Sequence, residues 1–459
     1  MNEIISVLDI GSGWIKGLAT EVKDLETLEL DYINNVKVES KGIEKGNIIR
    51  TSAARASIKE AIKKLSDLTS QDLRSFYLLL NHPKIKFENL NVGIDLLEKG
   101  EETEDILPQV EEEHLEQLKT LVKERAKEKG YEIIHIIPRY FVLDGEKNYE
   151  PVGLYATRIE GYYHVIKVKR QVILNLKNLI QSLGYEAKKI MFPAYVASFD
   201  VLNEDDSKKR ILILDLGHTT SGFCYFIEKT PYVSGALDIG LRDIIEAFSL
   251  NYKISLKEAQ KIFQEIGYYK PQAFSTETEE ETVQTFRDDG TPITINKSEI
   301  GLVLKEGITQ ILIDVLNKLG EEGVDLVNEL DEIVLIGGGA NLKNIKELVE
   351  ELLAEDLNVA IRLGMQKDFS HYEDIDIGQL SNLDNEFAAA RGAVILASRA
   401  LQKGFWNEPE SSNPFELEKT TNPILDEELE TLIPTNEEQE KKGFFTKFLS
   451  FFKNLLSED

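Results

Sequence analysis

Several features are scarce in this chain of 459 residues. It contains one cysteine, Cys224, so an intramolecular disulfide is impossible and nothing points to an oxidising compartment. Lys and Arg number 53 against 81 Asp and Glu, which gives a formal net charge of -28. Nucleic-acid binding requires clustered basic residues that neutralise phosphates, so this balance argues against a nucleic-acid partner. Because the single cysteine gives no sign of an oxidising compartment, we expect a cytosolic protein.

Long hydrophobic runs are also absent. No stretch reaches the roughly 18 consecutive apolar residues that a membrane-spanning helix needs. The first residues, MNEIISVLD, carry no basic region ahead of an apolar segment and so do not read as a signal peptide. Any membrane contact is expected to be peripheral. With 42% hydrophobic residues the chain can bury more than one core, which predicts at least two lobes.

Two stretches far apart in the chain share one pattern. Residues 4–10 form an apolar run that stops at Gly-Ser-Gly, and residues 14–22 read as a returning strand. Residues 211–226 repeat the order of strand, Asp, Gly, small polar tip and strand. Self-similarity over so long a period predicts two related halves.

The remaining elements follow from periodicity and turn residues. We predict a helix at 52–65, a mixed inserted section at 77–163 with a helix at 111–128, and a strand and helix at 163–184 that end at Gly184. Further on we predict helices at 241–266 and 301–320, short strands within 271–300, a strand and helix at 331–353, and a closing segment at 385–401.

The two hairpin tips are candidate phosphate loops. An Asp that follows a buried strand can orient magnesium-bound water, while backbone N–H groups of a Gly/Ser tip can face a phosphate. Taken alone, each hairpin is more typical of a tight β-turn than of a phosphate loop. The candidate residues are Asp9, Gly11, Ser12, Gly13, Trp14 and Lys16 in the first loop, and Asp215, Gly217, His218, Thr219, Thr220 and Ser221 in the second.

A third glycine-rich element strengthens this interpretation. Gly337, Gly338 and Gly339 remove side chains where the backbone must approach something closely, and a helix predicted to begin near Asn341 would present free N–H groups. The alternative is ordinary close packing of a strand on a helix. The three elements, in this order, resemble the phosphate-one, phosphate-two and adenosine motifs of the actin, heat-shock chaperone and sugar-kinase superfamily.

That resemblance implies a fold and a ligand. The fold class is α/β, an actin-like (ribonuclease H-like) two-lobed fold, and ATP with Mg²⁺ is the implied ligand between the lobes. Asp9 and Asp215 would hold the metal through water. No residue is assigned as a catalytic acid or base, and the six histidines are scattered without metal-ligand spacing.

Several longer strings resemble the bacterial cell-division family FtsA. They are LDIGSGWIK, GIEKGNIIRTSAARASIKEAI, the pair Asn81-His82, IIPRYFVLDG, GLYATRIEGYYHVI, NLKNLIQSLGYEAKKIMFPAYVAS and ALDIGLRDI, the last of which contains Gly240. The resemblance implies a cell-division protein at the cytoplasmic face of the membrane, peripheral and at the division site. Its implied partners are the carboxy-terminal peptide of the tubulin-like protein FtsZ, further copies of itself in a filament, membrane lipid, and other divisome proteins.

The family pattern also implies a domain division. The predicted units are domain 1A at 1–80 plus 163–203, an inserted α+β 1C (SHS2-like) subdomain at 81–162, domain 2A at 204–250 plus 330–405, domain 2B at 251–329, an acidic linker at 406–441 and an amphipathic helix at 442–459.

The chain differs from the family pattern at specific positions. The usual DIGGGTTD of the second loop reads DLGHTTSG, so His218 takes a glycine position and Gly222 takes that of an acid. Gln260 and Phe263 stand where charged residues near the adenine are implied. Gly307 and Gln310 align with an Arg and a Glu implied to bind the FtsZ peptide. Any ATP hydrolysis is therefore expected to be slow and regulatory.

The carboxy-terminal segment is predicted to bind lipid. Residues 407–440 are rich in Glu, Pro, Asn, Ser and Thr, which predicts a disordered tether. At 100° per residue the following segment separates apolar from polar side chains, with two lysines at the border, as in helices that lie in a membrane interface. The implied membrane residues are Phe444, Phe445, Lys447, Phe448, Leu449, Phe451, Phe452, Lys453, Leu455 and Leu456.

Two other functions remain open from sequence. A PilM-like scaffold of type IV pilus assembly would share the actin-like fold and an inserted subdomain, but would not need an amphipathic tail. A sugar or acid kinase would also clamp ATP between two lobes. It would need an acid placed as base for a substrate hydroxyl, which the sequence does not clearly offer.

Overall fold

A computed structural model describes residues 3–24, 29–97, 107–269, 281–354, 357–364 and 383–402. The predicted linker at 406–441 and the predicted membrane helix at 442–459 lie outside these residues. Within the described ranges, no helix combines the length and the apolar character needed to cross a bilayer.

Along the described chain, runs of strands are separated by helices. The strands are β1 (Glu3–Ile10), β2 (Trp14–Asp24), β3 (Glu29–Glu39), β4 (Ile43–Glu44), β5 (Asn47–Ile48), β6 (Ser75–Leu79), β7 (Lys86–Asp95), β8 (Tyr131–Leu143), β9 (Glu146–Asn148), β10 (Arg158–Lys169), β11 (Glu186–Met191), β12 (Arg210–Leu216), β13 (Ser221–Ile227), β14 (Thr230–Leu237), β15 (Thr282–Phe286), β16 (Pro292–Asn296), β17 (Glu332–Ile336) and β18 (Ala360–Leu363). The α-helices are α1 (Thr51–Thr69), α2 (Glu112–Ala126), α3 (Arg170–Ser182), α4 (Pro193–Val196), α5 (Ser198–Val201), α6 (Leu241–Tyr252), α7 (Leu256–Ile266), α8 (Lys297–Glu321), α9 (Ile345–Leu353) and α10 (Ala388–Gln402).

Two five-stranded sheets with one topology form the centres of the two lobes. The first has the order β3-β2-β1-β6-β11 and the second β14-β13-β12-β17-β18. In each, three consecutive strands pair antiparallel, and two later strands add in parallel beside the first of them. The two related halves and the two-lobed α/β architecture predicted from sequence are therefore confirmed.

The strand that leads to each candidate loop is buried because it lies in the middle of its sheet. Val7 and Leu8 of β1 and Leu212 to Leu214 of β12 are fully buried. A central strand with helices on both faces reads as a continuous apolar run, which is the pattern that the sequence shows at both places. Both strands end at the same point relative to their hairpin, which places the two tips at corresponding edges of the two sheets.

The inserted section forms a sheet of its own, with the order β7-β10-β8-β9. All its pairings are antiparallel, and α2 packs on it through Leu118 and Val122. Residue 162, the predicted end of the subdomain, lies within β10. That strand continues to Lys169, and α3 begins at the next residue, Arg170.

The last described helix, α10, packs on the first lobe, whereas the predicted division had grouped it with the second. Its small residues lie against α4, α5, β1 and β2. The approach is so close that a Cβ on Gly392 would overlap the carbonyl oxygen of Val196. Arg391 anchors the same helix, since its guanidinium donates to both carboxylate oxygens of Asp200 in α5, at 2.9 and 2.8 Å.

Candidate functional site between the two lobes

The two hairpin tips have matching geometry. Ile10 pairs with Ile15 across the first tip, and Leu216 pairs with Ser221 across the second, so each tip contains four residues. A Cβ on Gly11 would lie 2.7 Å from the carbonyl oxygen of Trp14. The equivalent Cβ on Gly217 would overlap the carbonyl oxygen of Thr220. Both tips therefore need glycine at their first position, where the backbone turns back on itself.

Lys16 joins the first loop to the last described segment. Its Nζ lies 2.7 Å from Asp9 Oδ2 and donates to the backbone carbonyl of Glu386 at 2.6 Å. Burial alone would lower the pKa of Lys16, but Asp9, Asp215 and Glu386 outweigh this effect and raise it. The lysine therefore stays charged while it faces carboxylates of both loops.

Asp215 is the corresponding carboxylate of the second loop. Burial raises its pKa from 3.8 to about 7; Lys16 opposes this increase and Asp9 adds to it. An additional cation close to Asp9 and Asp215 would favour the ionised form of Asp215. Within the described ranges, no group of three or more His, Cys, Asp or Glu residues forms a metal-ligand cluster. One or two carboxylates with water and phosphate suffice for Mg²⁺, so the pair fits the predicted role.

The two loops meet at His218. Atoms of its imidazole lie 2.7 to 3.0 Å from the position that a Cβ on Gly13 would take. Burial, with a smaller contribution from the nearby charge of Arg242, lowers the pKa of His218 to about 4. A neutral ring of the second loop thus packs directly on the glycine of the first, and any larger residue at position 13 would collide with it.

The segment before α6 supports the second loop. The N–H groups of Leu241 and Arg242 donate to the carbonyls of Gly217 and His218, at 3.1 and 2.7 Å. Gly240 lies so close that a Cβ there would be 2.6 Å from the carbonyl oxygen of His218.

Two further loop residues have assigned hydrogen bonds. The Ser221 hydroxyl donates to the carbonyl of Ile239 at 2.9 Å, and Thr219 Oγ1 accepts from the backbone N–H of Lys45 at 3.1 Å. Lys45 also forms an ion pair with Asp238. Lys45 lies in the β4–β5 turn of the first lobe, so this turn ties the two lobes together beside the second loop.

The triple-glycine turn serves both packing and access. Cβ atoms on Gly337 and Gly339 would collide with Asp215 Oδ1 and the Leu216 side chain, so these two glycines allow close contact with β12. A Cβ on Gly338 would meet nothing within 4 Å, and this residue is exposed. Gly337 and Gly339 thus allow the turn to pack on β12, whereas Gly338 leaves open space in front of the backbone.

The helix after this turn begins later than predicted. Residues Gly338–Asn341 form a 3₁₀ turn, and α9 begins at Ile345 after Asn344 in a left-handed conformation (φ 57°). The side chain of Asn341 accepts from Asn385 Nδ2 at 3.2 Å instead of capping a helix. The expectation of an α-helix near Asn341 is therefore wrong, because the chain makes an extra turn before the apolar face of α9 reaches the core.

The predicted adenine-side residues lie on α7. Gln260 is half-buried, whereas Phe263 is buried and packs edge-on against Phe248 at 5.1 Å between ring centroids. The end of α7 is tied to the segment after the glycine turn, because Lys343 donates to the carbonyl of Glu265 at 2.6 Å. Gln260 remains a candidate contact on this side of the cleft, and Phe263 belongs to the core.

The two predicted FtsZ-contact positions on α8 differ in their exposure, because Gly307 is buried and Gln310 is half-buried. A Cβ on Gly307 would overlap the side chain of Ile244, so this residue faces the core. Gln310 is half-buried and donates to Asp314 at 2.8 Å. Leu302 and Ile313 are 39% and 47% exposed on the same helix, which makes them the exposed apolar side chains of its outer face.

Sequence reasoning assigned no role to several residues at this site. Asn81 packs on the second loop, since a Cβ on Gly222 would lie 2.7 Å from its Nδ2. Its Oδ1 is buried and has no hydrogen-bond partner within the described part of the chain. Glu386, Lys45 and Arg242 also reach the loops, and no local motif marks them. The predicted membrane residues from Phe444 to Leu456 lie outside the described residues.

A family model for the SHS2 domain inserted in FtsA matches residues 85–167, and a model for cell division protein FtsA matches residues 212–392. The cell division protein FtsA of Borreliella burgdorferi is 24% identical over 396 residues, which cover 85% of this chain and 90% of the relative. FtsA of Helicobacter pylori is 25% identical over 367 residues, which cover 75% and 73%.

A solved structure shows the same fold. The PilM–PilN type IV pilus biogenesis complex aligns with a TM-score of 0.57 and 14% identity, over 86% of this chain and 98% of that one. At this identity the likeness concerns the fold alone, and it supports the predicted actin-like class. The two family models together cover more than half of the sequence and include both the inserted sheet and the second loop. The chain is therefore a member of the FtsA family of cell-division proteins.

Proposed function

We propose that this chain binds ATP with Mg²⁺ between its lobes, polymerises on the inner face of the cytoplasmic membrane and tethers the FtsZ ring to it. The observation that carries the nucleotide part is the meeting of two glycine-containing tips at one place, with Asp9, Lys16 and Asp215 between them. Membership in a cell-division family supports the cellular role.

Each group of site residues would contact a different part of the nucleotide. Backbone N–H groups of tips 11–14 and 217–220 would face the phosphates, and Lys16 would neutralise part of their charge. Asp9 and Asp215 would hold Mg²⁺ through water. The exposed Gly338 and the half-buried Gln260 would border the nucleoside end. Hydrolysis, where it occurs, would be slow and regulatory, because His218 rather than a glycine fills the gap between the tips.

The inserted subdomain is the proposed surface for other divisome proteins and for contacts in the filament. Tyr155 offers this surface an aromatic side chain that is 63% exposed, whereas Lys147 and Tyr149 at the β9 edge already contact Glu228 of the second lobe. The domain division given above, with 1C near 81–162 and 2B near 251–329, is part of this proposal, apart from α10, which packs on the first lobe.

Membrane attachment would be weak for one chain and firm for a polymer. A single amphipathic segment of this length binds lipid reversibly. A row of linked copies raises the effective concentration of tails, so the polymer would stay bound after any one tail is released. Membrane attachment and polymerisation are therefore proposed to depend on each other.

The FtsZ peptide is proposed to lie on the outer face of α8. Leu302 and Ile313 offer exposed apolar surface there, and Gln310 lies between them on the helix. Gly307, which faces Ile244, would not contact the peptide. A helical surface with exposed apolar side chains suits a short peptide that folds on binding.

One flotation assay tests the tether and the partner together. Liposomes of anionic lipid are mixed with the full chain and a fluorescent peptide that corresponds to the FtsZ carboxy terminus of the same cell. We expect both to float, since the tail binds lipid and α8 binds the peptide. A chain that ends at Lys441 should stay at the bottom, with the peptide.

A substitution on α8 separates the two activities. Ile313→Glu should float with the liposomes but leave the peptide behind, because a charge would replace an apolar contact. Leu121→Glu, at a site 40% exposed on α2, is the matched control and should carry the peptide. Equal flotation of the intact and shortened chains would refute the tether, and peptide capture by Ile313→Glu would refute the proposed surface.

A further inference from the structure

A polar cavity lies beside the first loop. It has a volume of about 520 Å³ and is lined by Ser12, residues 39–44, residues 49 and 50, and Arg242. Ser12 belongs to the first loop, and Ser40 is fixed beside it because its N–H donates to the carbonyl of Gly13 at 3.0 Å. Arg242 comes from the second lobe. The cavity is therefore bordered by both lobes, next to the tip that is proposed to face the nucleotide phosphates.

Two residues that line this cavity each carry a buried polar side-chain atom without a hydrogen-bond partner among the described residues. They are Ser40 Oγ in the first lobe and Arg242 Nε in the second. The carboxylate of Glu246, one helical turn away, reaches Arg242 Nε only to 3.9 Å, which is beyond hydrogen-bond distance. Buried polar atoms without partners are rare in proteins and often mark a place where a ligand or ion binds.

The charge of the cavity favours an anion. Lys41 pairs with Glu39 at 3.3 Å, so these two charges largely cancel. The other charged residues of the lining are Glu44, Arg50 and Arg242, so the lining carries one net positive charge, and Glu246 lies outside it, 3.9 Å from Arg242 Nε. The fork of N–H groups of a guanidinium fits two oxygens of one phosphate group, and a serine hydroxyl can donate to a third.

Arg242 is also rigidly placed relative to the second loop. Its backbone N–H donates to the carbonyl of His218 at 2.7 Å, and its charge is close enough to help lower the pKa of that imidazole. His218 in turn packs on Gly13, the neighbour of Ser12. A group that binds Arg242 would therefore touch the supports of both tips at once.

We infer that this cavity binds a phosphate group, with Arg242 as the residue that recognises it and Ser40 as a second donor. The phosphate would be the terminal group of a bound nucleoside triphosphate or an inorganic phosphate ion. The first source rests on the proposed nucleotide function, and the second does not. Arg242 would then distinguish a triphosphate from a diphosphate, and the bound phosphate would draw together the two lobes that line the cavity.

Calorimetric titrations of the full chain test this inference. ATP, ADP and inorganic phosphate are each titrated into the nucleotide-free protein, and phosphate is also titrated into protein saturated with ADP. Arg242→Gln should weaken the phosphate-dependent binding by about ten-fold or more, as expected for loss of a charge-assisted hydrogen bond. Ser40→Ala should produce a smaller loss, and in both variants the affinity for ATP should fall by a larger factor than the affinity for ADP.

Arg170→Gln is the matched control. Arg170 is also in the first turn of a helix, α3, and its carboxylate neighbour Glu132 lies 3.8 Å away. This control should bind all three ligands as the parent chain does. Circular dichroism of each variant confirms that the fold is intact, so that a lost affinity reports on the cavity.

The titrations distinguish three cases: the cavity binds the terminal phosphate of ATP, it binds inorganic phosphate, or it binds neither. If only the preference for ATP over ADP depends on Arg242, the terminal phosphate is the ligand. If inorganic phosphate binds in an Arg242-dependent way while no nucleotide binds, the cavity is confirmed and the proposed nucleotide function is wrong. If ADP binds but neither the ATP preference nor phosphate binding changes in Arg242→Gln and Ser40→Ala, the inference is wrong and the nucleotide function stands. Absence of binding by all three ligands would overturn both.

Discussion

The carboxylate of Asp215 is buried, and burial disfavours its ionised form. Burial raises its pKa to about 7, so near neutral pH the folded chain stays partly protonated at a residue that is ionised when unfolded. Because the folded state binds the extra proton between about pH 4 and pH 7, the free energy of unfolding falls as the pH rises through that window. Such a carboxylate gains more than an exposed one from a nearby metal ion.

Asp215→Asn should therefore stabilise the ligand-free chain at about pH 8 and change little at about pH 4. A pKa of about 7 instead of 3.8 corresponds to about 4 kcal/mol, which is an upper bound for the gain. Urea denaturation at the two pH values measures it.

Asp331→Asn is the contrasting control. Its hydrogen bonds with Arg210 lower the pKa of Asp331, so its removal should destabilise the chain at about pH 8. A loss of stability in Asp215→Asn at this pH would contradict the account of the buried carboxylate.

The contact between Gly13 and His218 is a second residue-level feature that local sequence does not show. The two residues are far apart in the chain, and the DLGHTTSG string says only that a histidine replaces a glycine. The structure shows what the histidine does, which is to fill the gap between the tips. Lys16 and Glu386 are a similar case, since their hydrogen bond joins residues 370 positions apart.

Gly13→Ala should destabilise the chain by about 1–3 kcal/mol, because the new methyl group would collide with the imidazole. His218→Ala in the same chain should remove most of this cost, so the two substitutions should be non-additive. Thermal or urea denaturation of the two single variants and the double variant gives the coupling.

Gly320→Ala is the control for this pair, since a Cβ at that position meets nothing within 4 Å. It should leave stability unchanged or raise it slightly, as alanine favours a helix. Additive effects of Gly13→Ala and His218→Ala would show that the two loops do not meet.

At the scale of elements, the strands and hairpins could be predicted because their apolar runs end at glycine-containing tips. The predictions for α1, α2, α6 and α7 also match the structure within a few residues. The beginning of α9 could not be predicted, since a left-handed Asn344 and a 3₁₀ turn replace the expected first helical turn. Local propensity does not reveal such a turn, because tertiary packing of the glycines on β12 determines it.

The placement of α10 likewise depends on a contact that local pattern does not contain. The Asp200 carboxylate and the Arg391 guanidinium are almost completely buried and joined by two hydrogen bonds. Arg391 also donates to the carbonyl of Asp384, in the segment that leads to the Lys16 contact at Glu386. The pair thus fixes α10 on the first lobe and positions the backbone that Lys16 binds.

Arg391→Met should destabilise the chain by about 3–5 kcal/mol, because it leaves the Asp200 carboxylate buried without its partner. Asp200→Leu added to it should recover part of the loss. Urea denaturation midpoints measure both. Arg74→Met, in an ion pair with both side chains more than 70% exposed, is the control and should cost at most about 1 kcal/mol. An Arg391→Met midpoint equal to that of the parent chain would rule out the proposed anchor.

At the scale of the whole molecule, the inserted subdomain rests on the second lobe. His164 in β10 is hydrogen-bonded to Asn89 of β7 and to Ser234 of β14, both at 2.8 Å. Asn89 also donates to the carbonyl of Tyr232 in β14 at 2.9 Å. Strand β14, which carries Tyr232 and Ser234, leads directly to Gly240 and the support of the second loop.

Sequence alone predicted the two-lobed fold and the family, since the repeated hairpins and the order of motifs are properties of the chain. It did not predict how the subdomain rests on β14 or how residues 383–391 link Lys16 to α10. These contacts join side chains that are distant in sequence and have no period to reveal them. The candidate site was thus predictable as a set of loops, whereas the residues that hold the loops together were not.

The central claim is that both hairpin tips grip one nucleotide. Hydrogen–deuterium exchange of the full chain, with and without Mg²⁺ and ATP, tests it most directly, because exchange is read segment by segment. The account predicts that amides of residues 11–14, 217–220 and 337–339 exchange more slowly together when ATP is added. Unchanged exchange in both tips at saturating ATP, in a chain that remains folded, would contradict it.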